Sequence, residues 1–194
     1  RLRSEKGHAL LLDAMVEVIR DYPRATLLVV GDGPDRGDLI KKAEDLGIAC
    51  NVLWLGEKEP EEVFQLYSVM DVVAVPSLFE GFGLTAAEAM AAGRPVVGTQ
   101  VDGLTEVIEE GVTGYLVPVG DSHRLAKALI ELLLDTEKAT AMGSKGRERV
   151  KACFSVERFA ESIITAYRCY DMYFQEHTDF ETESYIGPTV FIDV

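Results

Sequence analysis

Short apolar runs and amphipathic stretches alternate along this chain from end to end. Residues 8–22 carry Leu11, Leu12, Met15, Val16 and Ile19 at helical spacing, and Pro23 lies just beyond, so a helix is expected to end there. Residues 26–30 form a β-branched and leucine run closed by Gly31-Asp32-Gly33-Pro34, which reads as a strand. Residues 38–46 read as a helix stopped by Gly47, and 51–55 as a strand closed by Gly56. Pro60 suits the first turn of a helix reaching residue 70. The alternation then predicts strands at 71–75, 95–98 and 114–117, with helices at 84–92 and 104–109 between them. The remainder is helical in pattern: 125–135, 137–153, and 154–174 with Ser155 as N-cap.

Strands this short, apolar throughout and separated by helices, indicate a parallel sheet covered on both faces. The expected fold is α/β: a doubly wound, Rossmann-like parallel sheet with a helical C-terminus, and a further strand ahead of Arg1. Residues 1–170 would form this domain. Residues 171–194 would be an acidic, aromatic tail that either packs on something else or frays. Ligands of open α/β sheets bind beyond the carboxyl ends of the strands. Here those ends are Gly31-Asp32-Gly33, Gly56-Glu57-Lys58, residues 77–83 and residues 99–103, all rich in glycine or polar residues.

Composition narrows the function. With 194 residues, 47% of them hydrophobic, the chain can bury one full core. A formal net charge of −14 argues against nucleic acid as a partner and against direct docking on an anionic membrane. Three cysteines without a CxxC pair, and no long uncharged apolar run, point to a cytoplasmic protein. His8, His123 and His177 lack metal-ligand spacing, so no metal is expected, and Gly-x-Ser-x-Gly is absent. The opening residues 1–7 resemble neither a targeting segment nor the usual lead-in to a first strand, so a piece of a longer chain is expected.

The densest chemistry lies between Pro76 and Glu88. Glu80 and Glu88 bracket a glycine turn that opens a helix directly after an apolar strand. A helix start with exposed amides attracts anions, and glycines let a ligand approach the backbone. Carboxylates on either side can accept hydroxyl groups, so the pattern suits phosphate and polyol together, as in a nucleotide sugar. A glycosidase acid and nucleophile would normally face each other from different strands. Gly31-Asp32-Gly33-Pro34 lacks the third glycine of a dinucleotide loop, so NAD is not expected there. Lys6 and Arg1, ahead of the first helix, are the cations that a departing diphosphate would need.

Taken together, Pro76-Ser77-x-x-Glu80-Gly81-Phe82-Gly83-Leu84-x-x-x-Glu88-Ala89-Met90-Ala91-Ala92-Gly93-x-Pro95 resembles the donor-binding, C-terminal half of GT-B-fold retaining glycosyltransferases of the group 1 or family 4 class. Arg1-Leu2-x-x-Glu5-Lys6-Gly7, residues 30–34, 71–77 and 110–117 match the same family in order, over roughly residues 1–165. The resemblance implies that Arg1 and Lys6 bind the diphosphate and that Glu80 contacts donor-sugar hydroxyls. It further implies that the amides of Phe82, Gly83 and Leu84, with Thr85, hold phosphate, and that Glu88 binds the ribose. Gly31, Gly33, Leu55, Gly56 and Glu57 would pack on the base. No cofactor or metal is implied, only a nucleoside-diphosphate sugar from which a hexose passes to a glycan, lipid or small-molecule acceptor. The family's N-terminal acceptor domain is not in this sequence, so the chain is expected to be inactive alone. In the family the whole enzyme is cytoplasmic, at most peripheral at the inner membrane face. A nucleotide-sugar epimerase-like protein and a non-catalytic nucleotide-sugar binding module are the alternatives.

Overall fold

The computed structural model describes residues 1–155, 158, 164 and 165. Helices α1 (His8–Asp21), α2 (Arg36–Asp45), α3 (Pro60–Tyr67), α4 (Leu84–Ala91), α5 (Asp102–Val107), α6 (Ser122–Leu134) and α7 (Thr136–Cys153) alternate with strands β1 (Leu27–Val30), β2 (Val52–Gly56), β3 (Val73–Val75), β4 (Val96–Thr99) and β5 (Gly114–Val117). Every strand pairing is parallel, as short uniformly apolar strands with helical crossovers require.

The strands form two ladders rather than one continuous sheet among the described residues, β1-β2 and β3-β4-β5. In the first, Leu27 lies opposite Val52 and the register shifts between Val29 and Val30. In the second, Val96 lies between Val73 and Gly114. Segment 1–7 fastens the two sets at their carboxyl ends: the Leu2 amide donates to Asp32 O at 2.9 Å, and the Leu78 amide donates to Glu5 O at 2.7 Å.

Adjacent strand residues face opposite sides, and β4 shows what this does. Val97 joins Val29, Val52 and Val117 in a cluster with Leu12 of α1, Leu39 of α2 and Leu125 of α6. Its neighbour Val96 turns the other way, into a cluster with Val73, Val75, Tyr67, Met90 and Leu104. The doubly wound expectation is thereby met, with helices on both faces. Full burial of each such side chain contributes about 1.5–3 kcal/mol relative to exposure, so both clusters are substantial.

Backbone contacts divide the chain into residues 1–154 and 155–194. In the second unit Arg158, Ile164 and Thr165 are helical, and the Arg158 amide donates to Ser155 Oγ at 3.3 Å, the cap expected from sequence. The acidic tail at 171–194 lies outside the described residues. Among the described residues no helix is long and apolar enough to cross a membrane.

Candidate functional site

The residues singled out in the sequence gather at the carboxyl ends of the strands, in three groups. The first surrounds Lys6 and Glu80. A short 3-10 turn at Ser4–Lys6, ending on Gly7, presents Lys6 toward the end of β3. Its Nζ lies 2.7 Å from Glu80 Oε2, with the Glu80 side chain only 15% exposed. Ser77 Oγ donates to the same oxygen at 3.2 Å. Ser77 is itself buried, and its carbonyl accepts from the buried Thr99 hydroxyl, which ties the end of β3 to the end of β4. Glu80 O accepts the Gly103 amide at 3.1 Å, so α5 also sets this loop. A charge this secluded needs a partner, and Lys6 provides it.

The second group is the start of α4. Gly83, at φ 93°, is its N-cap and brings no side chain to the first amides of the helix. No side chain caps that start, and Leu84 and Thr85 are exposed there, at the positive end of a helix dipole. Phe82 stands edge-on to Phe154 at 5.4 Å between centroids, and the Arg149 guanidinium lies 5.9 Å from the Phe154 ring. One turn into α4, Glu88 is exposed and its Oε2 accepts from the buried Tyr67 hydroxyl at 3.1 Å.

The third group lies at the ends of β1 and β2. The Gly31 amide donates to Gly56 O at 2.7 Å. Beside it, Arg1, Arg3, Asp32, Gly33, Pro34 and Glu57 line a cavity of about 250 Å³. Leu55, in β2, is half-buried.

The structure thus brings Lys6 to Glu80, and Arg1 to Gly33 and Glu57. Two residues beside these groups escaped the sequence reading, Tyr67 and Arg3, and Ser77 was read as a strand end without its contact to Glu80. Tyr67 looks like the end of an apolar element, and only its position below Glu88 reveals a polar contact. Arg3 could have been found from its place between two residues already noted. Among the described residues no group of three or more His, Cys, Asp or Glu side chains comes together as a metal site would require.

Residues 1–149 match the family described as glycosyl transferases group 1. D-inositol 3-phosphate glycosyltransferase of Corynebacterium urealyticum is 38% identical over 175 residues, covering 87% of this chain and 41% of that protein. N-acetyl-alpha-D-glucosaminyl L-malate synthase of Bacillus anthracis is 40% identical over 157 residues, covering 81% of this chain and 40% of that protein. The chain thus spans about two fifths of these curated relatives. Among solved structures, Anabaena HepE in complex with UDP and glucose superposes with a TM-score of 0.80 at 30% identity, covering 87% of this chain and 46% of that one.

Proposed function

The chain belongs to the group 1 glycosyl transferases, with the Rossmann-like C-terminal half of a GT-B fold, and from that premise we propose that it is the donor-binding domain of a retaining glycosyltransferase. In this reading it takes a hexose from a nucleoside-diphosphate sugar and passes it to a glycan, lipid or small-molecule acceptor held by a further domain. One observation supports the proposal: Lys6 meets Glu80 just ahead of the uncapped start of α4, and Glu88 follows one turn into that helix. This arrangement offers cationic and amide donors for a diphosphate beside carboxylate acceptors for hydroxyls. The complex of HepE with UDP and glucose supports a nucleotide sugar as the ligand class.

The proposed chemistry is electrostatic. As the bond from anomeric carbon to phosphate oxygen breaks, negative charge builds on the leaving diphosphate. Lys6, Arg1 and the first amides of α4 would meet that charge, so no metal is needed in this proposal. Glu80, held by Lys6 and Ser77, would accept sugar hydroxyls, and Glu88 would accept ribose hydroxyls. The base would lie against Gly31, Leu55, Gly56 and Glu57. Among the described residues the thiols of Cys50 and Cys153 are exposed and free, which supports a reducing, cytoplasmic setting.

Calorimetric titration with UDP, GDP and ADP tests the assignment. At least one should bind at millimolar concentration or better. Glu88→Ala should weaken it roughly ten- to a hundredfold, as expected when hydrogen bonds to a charged acceptor are lost. Absence of binding by all three nucleotides, or unchanged affinity in Glu88→Ala, would refute the donor-site assignment.

A further inference from the structure

Glu88 is an exposed glutamate on a helix surface, a setting in which a carboxylate ordinarily swings among several rotamers. Its orientation is instead set from a different helix. Tyr67, the last residue of α3, is only 4% exposed and lies in the apolar cluster beneath α4, with Ala86, Ala87 and Met90. From there its hydroxyl donates to Glu88 Oε2 at 3.1 Å. Among the described residues no other group bonds the Glu88 carboxylate.

The support beneath this contact is firm. Pro60 begins α3, and Glu59 and Glu62 close a reciprocal capping box at its start. At its other end Arg94 donates to Ser68 O at 2.8 Å. Burial, with the Glu88 carboxylate alongside, pushes the Tyr67 phenol well above its ordinary value, so the hydroxyl keeps its proton and is always a donor. A buried phenol ring with its oxygen directed at one carboxylate oxygen fixes that carboxylate at little entropic cost.

We propose that Tyr67 is the positioning residue for Glu88, holding the carboxylate so that Oε1 and the remaining lone pair of Oε2 accept the two vicinal hydroxyls of the donor ribose. The proposal rests on the donor-site reading above. It adds that selection of ribose over a sugar lacking these hydroxyls is built into α3, outside the segment that carries both glutamates. Tyr67 touches no substrate in this scheme. It acts only through Glu88.

The test is a thermodynamic cycle. The protein is titrated with UDP, GDP and ADP, and the tightest of these is carried forward with its 2′,3′-dideoxy analogue. Both are measured against the wild type, Tyr67→Phe, Glu88→Ala and the double variant. Tyr67→Phe should weaken the ribonucleotide roughly three- to tenfold, the cost of one side chain regaining its rotamers, and change the dideoxy analogue by less than about twofold. In the Glu88→Ala background, where no acceptor is left for Tyr67 to hold, the same substitution should alter neither. Because the ratio of the two affinities is read on one preparation, it does not depend on the fraction of protein that is folded. Equal loss on both ligands, or an unchanged ratio, would show that Tyr67 only supports the fold. Failure of the wild type to bind any of the three nucleotides would overturn the donor-site reading itself, and this proposal with it.

Discussion

His8 opens α1 with its Nδ1 buried and without a hydrogen-bond partner among the described residues. It borders a cavity of about 320 Å³ with Arg3, Asp35, Asp38 and Lys42. Burial disfavours the imidazolium and holds its pKa below the ordinary value of 6.5; the amino-terminal charge and Lys6 act in the same direction, and a hydrogen bond to the Arg3 backbone and the charge of Asp35 act against it. The folded value lies below the unfolded one, so on acidification the unfolded chain takes the proton first. Stability from this residue is therefore complete above pH 6.5 and is lost as pH falls from there toward the folded value. Urea midpoints measured between neutral and mildly acidic pH should fall less steeply in His8→Gln than in the wild type. Identical slopes would exclude His8 as a source of acid sensitivity. At this scale the sequence was legible where unusual residue types stand in a fixed order, as with Glu80, Gly83 and Glu88, which the structure sets before and within α4. It was opaque where the role depends on a neighbour distant in the chain. Tyr67 meets Glu88, and the Ser77 carbonyl meets the Thr99 hydroxyl, only through folding.

Helix ends tell a similar story. Apolar spacing marks the face a helix buries and says nothing of a polar first turn. That is why α6 was expected from residue 125, whereas it begins at Ser122, three residues earlier in the chain, with Asp121 accepting the Arg124 amide at 2.9 Å. The same holds for α5, expected from residue 104 and found from Asp102. The cap residue Asp121 was present in the sequence, and attention to it would have moved the α6 boundary; α5 has Val101 at its N-cap and offers no such signal. Helix α7 presents a harder case, because nothing in its spacing marks what its arginines bond. Arg147 donates to the carbonyls of Ala91 and Ala92, and Arg149 to those of Glu106 and Val107, so α7 satisfies the open ends of α4 and α5. Close packing accompanies this capping. A methyl group at Gly143 would collide with the carbonyl oxygen of Gly93, whereas one at Gly37 in α2 meets nothing within 4 Å. Identical substitutions should therefore have opposite signs. Gly37→Ala should stabilise by about 0.5–1 kcal/mol through helix propensity, and Gly143→Ala should destabilise by about 1–3 kcal/mol through overpacking. Chemical denaturation of the two variants decides the matter, and a stabilised Gly143→Ala would contradict the packing of α7 on α4.

For the molecule as a whole, the question is whether two separate strand ladders make one cooperative body. The sequence could not have posed it, because strand order depends on pairing across long separations, and the expectation of one sheet was blind to the unpaired edges of β1 and β3. One apolar cluster nevertheless takes residues from both ladders, with Val29 and Val52 from one side and Val97 and Val117 from the other. Trp54, the sole tryptophan, packs against that cluster from β2, while most helix signal comes from elsewhere. Fluorescence of Trp54 and far-ultraviolet dichroism should therefore report the same midpoint in urea. Two separated midpoints would show the ladders melting independently. A different consequence follows from the position of α7 at the end of the described core. Chains emerge from the ribosome at roughly 5–20 residues per second, N-terminal portions first. The loop bearing Phe82 is made long before Phe154, the ring against which it rests, and α4 is made long before Arg147 can close its end. The contact of Phe82 with Phe154, and the closing of α4 by Arg147, therefore form last, after Lys6, Ser77 and Gly103 are already available to hold Glu80.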